Sequence, residues 1–193
     1  SYVHQYDLLK GLKEGGVFVL NTIWSQEELE QHLPAKMKKF IADNNINFYT
    51  VNATKIAQEI GLGNRINMIM QSAFFKLAAI IPETEAVEYL KDSIKKAYGK
   101  KGEKVVNMNY EAVEQGKNAL VQINIPSSWA TATDDDNTNT QEPEFITNIL
   151  RPINAQEGDS LPVSTFNGIE DGTFPQGTAA YEKRGIAVNV PEW

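Results

Sequence analysis

Apolar residues recur along the first two-thirds of the chain in two alternating patterns. Short runs at 15–21 and 46–52 are apolar or rich in aromatic and β-branched residues, which is typical of buried parallel strands. Elsewhere apolar residues recur at helical spacing, as in Met37, Phe40 and Ile41. The alternation of strands and helices predicts an α/β fold with a largely parallel sheet and flanking helices.

Local signals place several helix boundaries. Ser25 and Glu28 form a capping-box pattern that starts a helix, and Pro34 suits the first position of the next one. A short helix over 53–60 ends at Gly61. Two further helices are expected at about 83–98 and 109–120, followed by a last strand at 121–126.

The helix that follows Gly61-Leu62-Gly63 is apolar on nearly every side. Its apolar residues are Ile66, Ile69, Met70, Phe74, Leu77 and Ile81. A helix with this pattern is usually buried, so we expect burial here too.

The C-terminal third has a different character. Residues 127–144 are polar and acidic, as in a linker or a segment that is ordered only against something else. Residues 145–153 could form one or two helical turns. The remainder is interrupted by Gly and Pro and holds too little apolar surface for its own core. It predicts an extended, mostly irregular segment that wraps across another domain.

Charge separates the same two pieces. Residues 1–126 hold 15 basic and 14 acidic side chains, whereas residues 127–193 hold three basic and eleven acidic ones. The folded part lacks the basic excess expected of a nucleic-acid binder. No apolar run is long enough to span a membrane. Because the chain has no cysteine, it cannot itself ligate an iron–sulfur cluster through thiolates.

The loop "GLGNRIN" (61–67) is the first candidate site. A helix N-terminus presents unpaired amides and a partial positive charge, glycines let the backbone approach a ligand, and Arg65 adds a forked donor that suits phosphate. The alternative is that the glycines only turn the chain and Arg65 lies in solvent. Spacing alone favours the alternative.

The second candidate is a lysine-rich turn within 92–106. Its members are Lys95, Lys96, Lys100, Lys101 and Lys104. They could meet an acidic segment or a phosphorylated ligand, or could simply be solvated near a helix C-terminus. His4 and His32 lack metal-ligand spacing, and no catalytic constellation is present. We therefore predict no metal site and no catalytic residue in this chain.

Several longer blocks resemble one family. "GLGNRINMIMQSAFFKLA", "IKKAYGKKGEKVVNMN" and "YEKRGIAVNVPEW" look like an internal section of pyruvate:ferredoxin (flavodoxin) oxidoreductases. Residues 1–133 resemble most of the gamma-type domain of that family, a Rossmann-like module, without its glycine-rich N-terminal part. Residues 134–193 resemble the connecting domain that is named for its Glu-Lys-Arg motif, here Glu182, Lys183 and Arg184, and that leads in the family to a ferredoxin-like domain.

The resemblance implies a function. The family oxidatively decarboxylates pyruvate with coenzyme A, giving acetyl-CoA, CO2 and reduced ferredoxin or flavodoxin, and its gamma-type domain is implicated in coenzyme A binding. Gly63, Asn64, Arg65 and Asn67 are accordingly expected to contact a phosphate of coenzyme A as co-substrate. Thiamine diphosphate, Mg and 4Fe-4S clusters are expected on other domains of the full enzyme, with none bound by this chain alone.

The expected partners are other domains of the same polypeptide, and ferredoxin or flavodoxin for the full enzyme, with no nucleic acid and no membrane. A homodimeric, cytoplasmic full enzyme is expected, and the fragment alone is expected to be inactive. The charged triplet at 182–184 is interpreted as an anchor that pins the segment by ion pairs. A free-standing nucleotide-phosphate-binding module and a structural spacer between domains remain the alternatives.

Overall fold

The computed structural model describes residues 2–133 and 142–182. They belong to two compact units, one made of residues 9–134 and the other of residues 1–8 and 135–193. The first eight residues thus group with the C-terminal unit, which the sequence did not suggest. The predicted domain boundary at 133/134 stays a prediction. Lys183 and Arg184 lie outside the described residues.

The described elements are numbered in chain order. Helices α1 to α8 are Tyr2–Gln5, Gln26–His32, Ala35–Asp43, Ala53–Ile60, Asn67–Ala78, Glu83–Tyr98, Glu103–Asn118 and Arg151–Asn154. Strands β1 to β3 are Val17–Asn21, Asn47–Val51 and Val121–Gln122. The predicted α/β class is confirmed.

The sheet is small and mainly parallel. Its order is β1-β2-β3, and β1 pairs in parallel with β2 over five residues, from Val17 opposite Asn47 to Asn21 opposite Val51. β3 adds a short antiparallel pair, with Val121 opposite Thr50. The predicted last strand at 121–126 is therefore mostly irregular, with regular pairing confined to its first two residues.

Most predicted boundaries are confirmed, with one large exception. The capping box is complete: the Glu28 amide donates to the Ser25 hydroxyl and the Ser25 amide donates to the Glu28 carboxylate. The helix expected at 109–120 instead begins at Glu103. Gly102, with a φ of +97°, turns the chain directly before this helix. The lysine-rich sequence at 100–104 hides the helical periodicity at its start.

One face of the sheet packs against the helices that join β1 to β2. Phe48 is buried on this face between Phe18 and Trp129, with ring centroids 5.4 and 6.3 Å away. Trp129 lies in a 3₁₀ turn, Ser127–Thr131, that packs against α3, and its indole N–H donates to Glu30. The Trp129 side chain is 1% exposed and belongs to the core. The predicted linker therefore does not start at residue 127.

The other face holds the larger core. Because side chains alternate along a strand, Val51 points away from Phe48 and joins a cluster built from α4 to α7. The buried members of this cluster are Val51, Ala53, Ile56, Ala57, Leu62, Met68, Ile69, Leu90, Ile94, Ala112 and Val113. The helices thus flank the sheet on both faces.

Gly116 sets the distance between α5 and α7. A Cβ at this buried position would lie 2.3 Å from the Ser72 hydroxyl and 2.5 Å from the Ile69 carbonyl oxygen. The Ser72 hydroxyl donates to that same carbonyl at 2.9 Å, which keeps it bonded inside the contact. Only glycine permits this approach of the two helices.

Ion pairs join the outer sides of α6 and α7. The Glu114 carboxylate lies 2.8 Å from both Lys91 and Lys117, and Lys117 also lies 3.5 Å from Glu83. The Lys117 hydrogen bond, and then that of Lys91, lowers the pKa of Glu114 below its ordinary value of 4.5. Glu114 in turn raises the pKa of Lys117.

In the described part of the second unit, helical pieces are short. A π-helical stretch, Ile146–Leu150, runs into α8. Arg151 donates to Glu142 at 3.2 and 2.5 Å, which lowers the pKa of that carboxylate. The predicted helical turns at 145–153 are confirmed, and the described chain beyond Ala155 consists of turns and 3₁₀ pieces.

Gly116→Ala is expected to destabilise the chain by about 1–3 kcal/mol, because its new methyl must displace α5 or the Ser72 side chain. Urea unfolding followed by circular dichroism measures the change. Gly99→Ala is the matched control, since its backbone is helical (φ −54°) and a Cβ there meets nothing within 4 Å. Equal effects of the two substitutions would show that the α5–α7 approach is not tight.

Glu114→Gln is expected to lower the melting temperature at about pH 7 but not in acid. A carboxylate whose pKa is depressed on folding stabilises the fold above its ordinary value, 4.5, and this contribution disappears as pH falls through the lowered value. The difference from the unsubstituted chain should therefore shrink below pH 4.5. Glu88→Gln, at an exposed α6 residue with no ion pair within the described chain, is the control. A pH-independent difference contradicts the assignment.

Candidate functional site

The candidate loop begins with the end of α4. Gly61 adopts a left-handed conformation, φ +87°, and its amide donates to the carbonyls of Ala57 and Gln58. The Leu62 amide donates to the Ala57 carbonyl at 2.7 Å, and the Leu62 side chain is buried. This is the arrangement by which a glycine commonly ends a helix. Gly61 and Leu62 therefore have structural roles.

The next residues are exposed. Gly63 has a φ of +63°, and a Cβ there would meet nothing within 4 Å, so the backbone is open to solvent. The chain then folds back through a hydrogen bond of 3.3 Å from the Arg65 amide to the Leu62 carbonyl. Gly63, Asn64 and Arg65 form the accessible tip of the loop.

The polar side chains of this loop are not used by the described fold. Asn64, Arg65 and Asn67 are exposed. Across residues 2–133 and 142–182 none of their side chains takes part in a hydrogen bond or ion pair. A guanidinium in this state offers all of its donors to a ligand.

The start of α5 carries no internal anion. Ile66 precedes the helix without a side-chain cap, and the first turn contains no acidic residue. By contrast, α2 is capped by Ser25 and has Glu27 and Glu28 in its first turn. The partial positive charge of the α5 terminus is therefore not offset by its own residues.

The lysine-rich turn is connected to this loop through α7. A Cβ on Gly61 would lie 3.3 Å from the terminal methyl of Met108, so the loop contacts the early part of α7. Lys104 lies one helical turn before Met108 and hence on the same face. Lys101 lies over the Tyr98 ring, with its nitrogen 5.4 Å from the centroid. Sequence reasoning treated loop and turn as separate features.

Sequence reasoning did not single out the polar residues at the carboxyl ends of β1 and β2 as candidates for a site. Ligands of α/β sheets commonly bind at such an edge, and an Asn directly after each apolar run is the sequence signal. Here, however, the Asn21 carboxamide accepts from the Ala53 amide at 2.9 Å, and Asn52 accepts from the Lys55 amide at 2.9 Å. Both therefore cap the start of α4.

Other features add no second site. A shallow cavity between α3, β2 and β3 is lined in part by Asn45, Asn47, Gln122 and Asn124, and it includes none of the predicted residues. Among the described residues, no three acidic or His side chains are grouped as a metal site requires. No helix in the described ranges has the length and apolar character needed to cross a bilayer.

Gly63, Asn64, Arg65 and Asn67 thus share one exposed loop and helix start. The arrangement could bind a phosphate or carboxylate through the guanidinium, the carboxamides and the first amides of α5. The assignment of these four residues to a site stays a prediction.

Two families match the chain. Residues 1–119 match a family described as pyruvate ferredoxin/flavodoxin oxidoreductase, and residues 132–187 match the family EKR, described as a domain of unknown function.

Several curated proteins are similar over the whole chain. A pyruvate:ferredoxin oxidoreductase of Moorella thermoacetica is 59% identical, and a pyruvate-flavodoxin oxidoreductase of Enterobacter agglomerans is 60% identical. A mitochondrial pyruvate dehydrogenase [NADP(+)] of Euglena gracilis is 43% identical. Each alignment covers 100% of this chain but only 16%, 16% and 11% of the respective relative. The chain thus spans a small part of their length.

Proposed function

The chain belongs to the pyruvate ferredoxin/flavodoxin oxidoreductase family, and we propose that it forms part of an enzyme that oxidatively decarboxylates pyruvate. In this reaction pyruvate, coenzyme A and an oxidised acceptor give acetyl-CoA, CO2 and the reduced acceptor. The observation that carries the proposal is the identity of about 60% over the entire chain to a pyruvate:ferredoxin oxidoreductase and a pyruvate-flavodoxin oxidoreductase.

The contribution of this chain is to bind coenzyme A and to link domains, rather than to perform the chemical steps. Arg65 supports the binding role because its exposed guanidinium has no partner within the described residues and stands next to an uncapped helix start. A guanidinium binds two phosphate oxygens in parallel, while the Asn67 carboxamide and the α5 amides can donate to the remaining oxygen. The negative charge of the coenzyme A phosphate would then offset the positive charge of Arg65 and of the α5 terminus.

The redox groups belong elsewhere in the enzyme. A 4Fe-4S cluster is held by cysteine thiolates, and this chain has no cysteine, so its residues do not fit such a cluster. Thiamine diphosphate with Mg is assigned to other domains because the resemblance to the family places it there. The chain would meet these groups through neighbouring domains.

The electron acceptor is not assigned to residues of this chain. The three relatives are named for ferredoxin, flavodoxin and NADP(+), yet each contains a counterpart of the whole chain. The homodimeric state and the cytoplasmic location that the resemblance implied stay predictions.

Arg65→Ala in the longer polypeptide is expected to weaken coenzyme A binding by about 1–3 kcal/mol, the scale of a lost charged hydrogen bond. The measurement is the KM for coenzyme A during pyruvate-dependent acceptor reduction, with calorimetric titration of coenzyme A beside it. The rate at saturating coenzyme A should change little, because Arg65 is not assigned to the chemical step.

Two variants control this experiment. Lys39→Ala removes one positive charge from an exposed position on α3 and should leave the KM for coenzyme A unchanged. Arg65→Lys keeps the charge but loses the fork, so it should fall between Arg65→Ala and the unsubstituted enzyme. An unaltered coenzyme A dependence in Arg65→Ala removes this residue from the site, and a longer polypeptide without pyruvate oxidation refutes the proposed activity.

A further inference from the structure

The C-terminal half of α5 exposes apolar surface that a helix of its composition normally buries. Met68, Ile69 and Ala73 are buried, the latter two nearly completely. Phe74 is nevertheless 54% exposed, and Ile80, just beyond the helix, is 71% exposed. The expectation that this helix is buried is therefore wrong at its C-terminal end. We name residues 74–81 the apolar end of α5.

The backbone adds to this surface. Ala79 ends α5 in the left-handed conformation, φ +46°, where a glycine is the usual residue. A residue with a Cβ is strained in this conformation. Ala79 is exposed and so is Ala78, so the methyl groups extend the apolar surface between Phe74 and Ile80.

The apolar end of α5 is held in place by polar contacts. The Lys76 ammonium donates to the Lys117 carbonyl at the end of α7 at 2.7 Å. Lys117 is itself paired with Glu114 and Glu83, the latter being the first residue of α6. An apolar centre with a fixed polar surround is the usual composition of a protein interface.

The relatives indicate what covers this surface. The chain corresponds to 16% of the length of the two closely related oxidoreductases, so most of such a polypeptide lies outside it. A contiguous exposed apolar patch marks an interaction surface, and in a long polypeptide a neighbouring domain is available to cover it.

A second copy of the chain is the weaker candidate. A stable interface between separate molecules buries at least about 1,000 Å². The exposed apolar side chains here are few, chiefly Phe74 and Ile80. Domains of one polypeptide need less contact, because their linkage gives them a high effective concentration.

We propose that the apolar end of α5 docks against another domain of the longer polypeptide. The inference rests on the proposed function only in that the chain is part of such a polypeptide. It does not depend on coenzyme A binding at Arg65, and its test uses no activity measurement.

The test introduces Ile80→Asp and, as a matched control, Ile23→Asp into the longer polypeptide. Both are isoleucines in loops with nearly equal exposure, 71% and 76%. Burying an aspartate at a docked surface loosens the domain, so Ile80→Asp should speed limited proteolysis about tenfold or more, the scale of one central interface residue. Ile23→Asp should stay within about twofold, as an exposed substitution does. An Ile80→Asp effect no larger than that of Ile23→Asp overturns the proposal.

Two further measurements keep the test decisive. Size-exclusion chromatography with light scattering should give the same mass for all forms. A lower assembly mass of Ile80→Asp with unchanged proteolysis would show that a second copy covers this surface, and would refute domain docking. If Ile80→Asp does not fold, hydrogen exchange of the unsubstituted polypeptide decides. Slow exchange of the Ile80 and Ile81 amides supports docking, and exchange at the rate of an open loop contradicts it.

Discussion

The approach of α5 to α7 at Gly116 is the constraint on which the larger unit depends. With no side chain at Gly116, the Ile69 carbonyl and the Ser72 hydroxyl lie directly against the backbone of α7. This contact fixes which side of α5 is buried. Arg65 of the loop before α5, and Phe74 and Ile80 of its apolar end, lie on the exposed side.

The same helix, α7, gives the candidate loop a firm base. Met108 lies beside Gly61 in the first half of the helix, and the Lys117 carbonyl accepts the Lys76 hydrogen bond near its end. A binding loop on such a base can present Arg65 at little cost in conformational entropy, because its backbone is already ordered. The side chains of Asn21 and Asn52 at the carboxyl ends of β1 and β2 cap α4.

Local signals in the sequence were sufficient for much of this structure. The Ser25–Glu28 capping box, the parallel strands and the stop at Gly61 depend on neighbouring residues, and each lies where it was predicted. The start of α7 was misplaced because the residues directly before it, 99–102, are glycines and lysines, and its first turn also carries Glu103 and Lys104. The core position of Trp129 was missed because its partners, Phe48 and Glu30, are distant in sequence.

The candidate site also combines features that the sequence predicts with features that depend on long-range contacts. The sequence by itself determined the residue types of the loop, Gly63, Asn64, Arg65 and Asn67, and the helix that follows, because these features depend on local backbone preferences. Only the tertiary structure decided that Arg65 has no partner among the described residues and that Phe74 and Ile80 are exposed. Exposure and partnership depend on which helix faces meet, and a one-dimensional pattern does not contain that information.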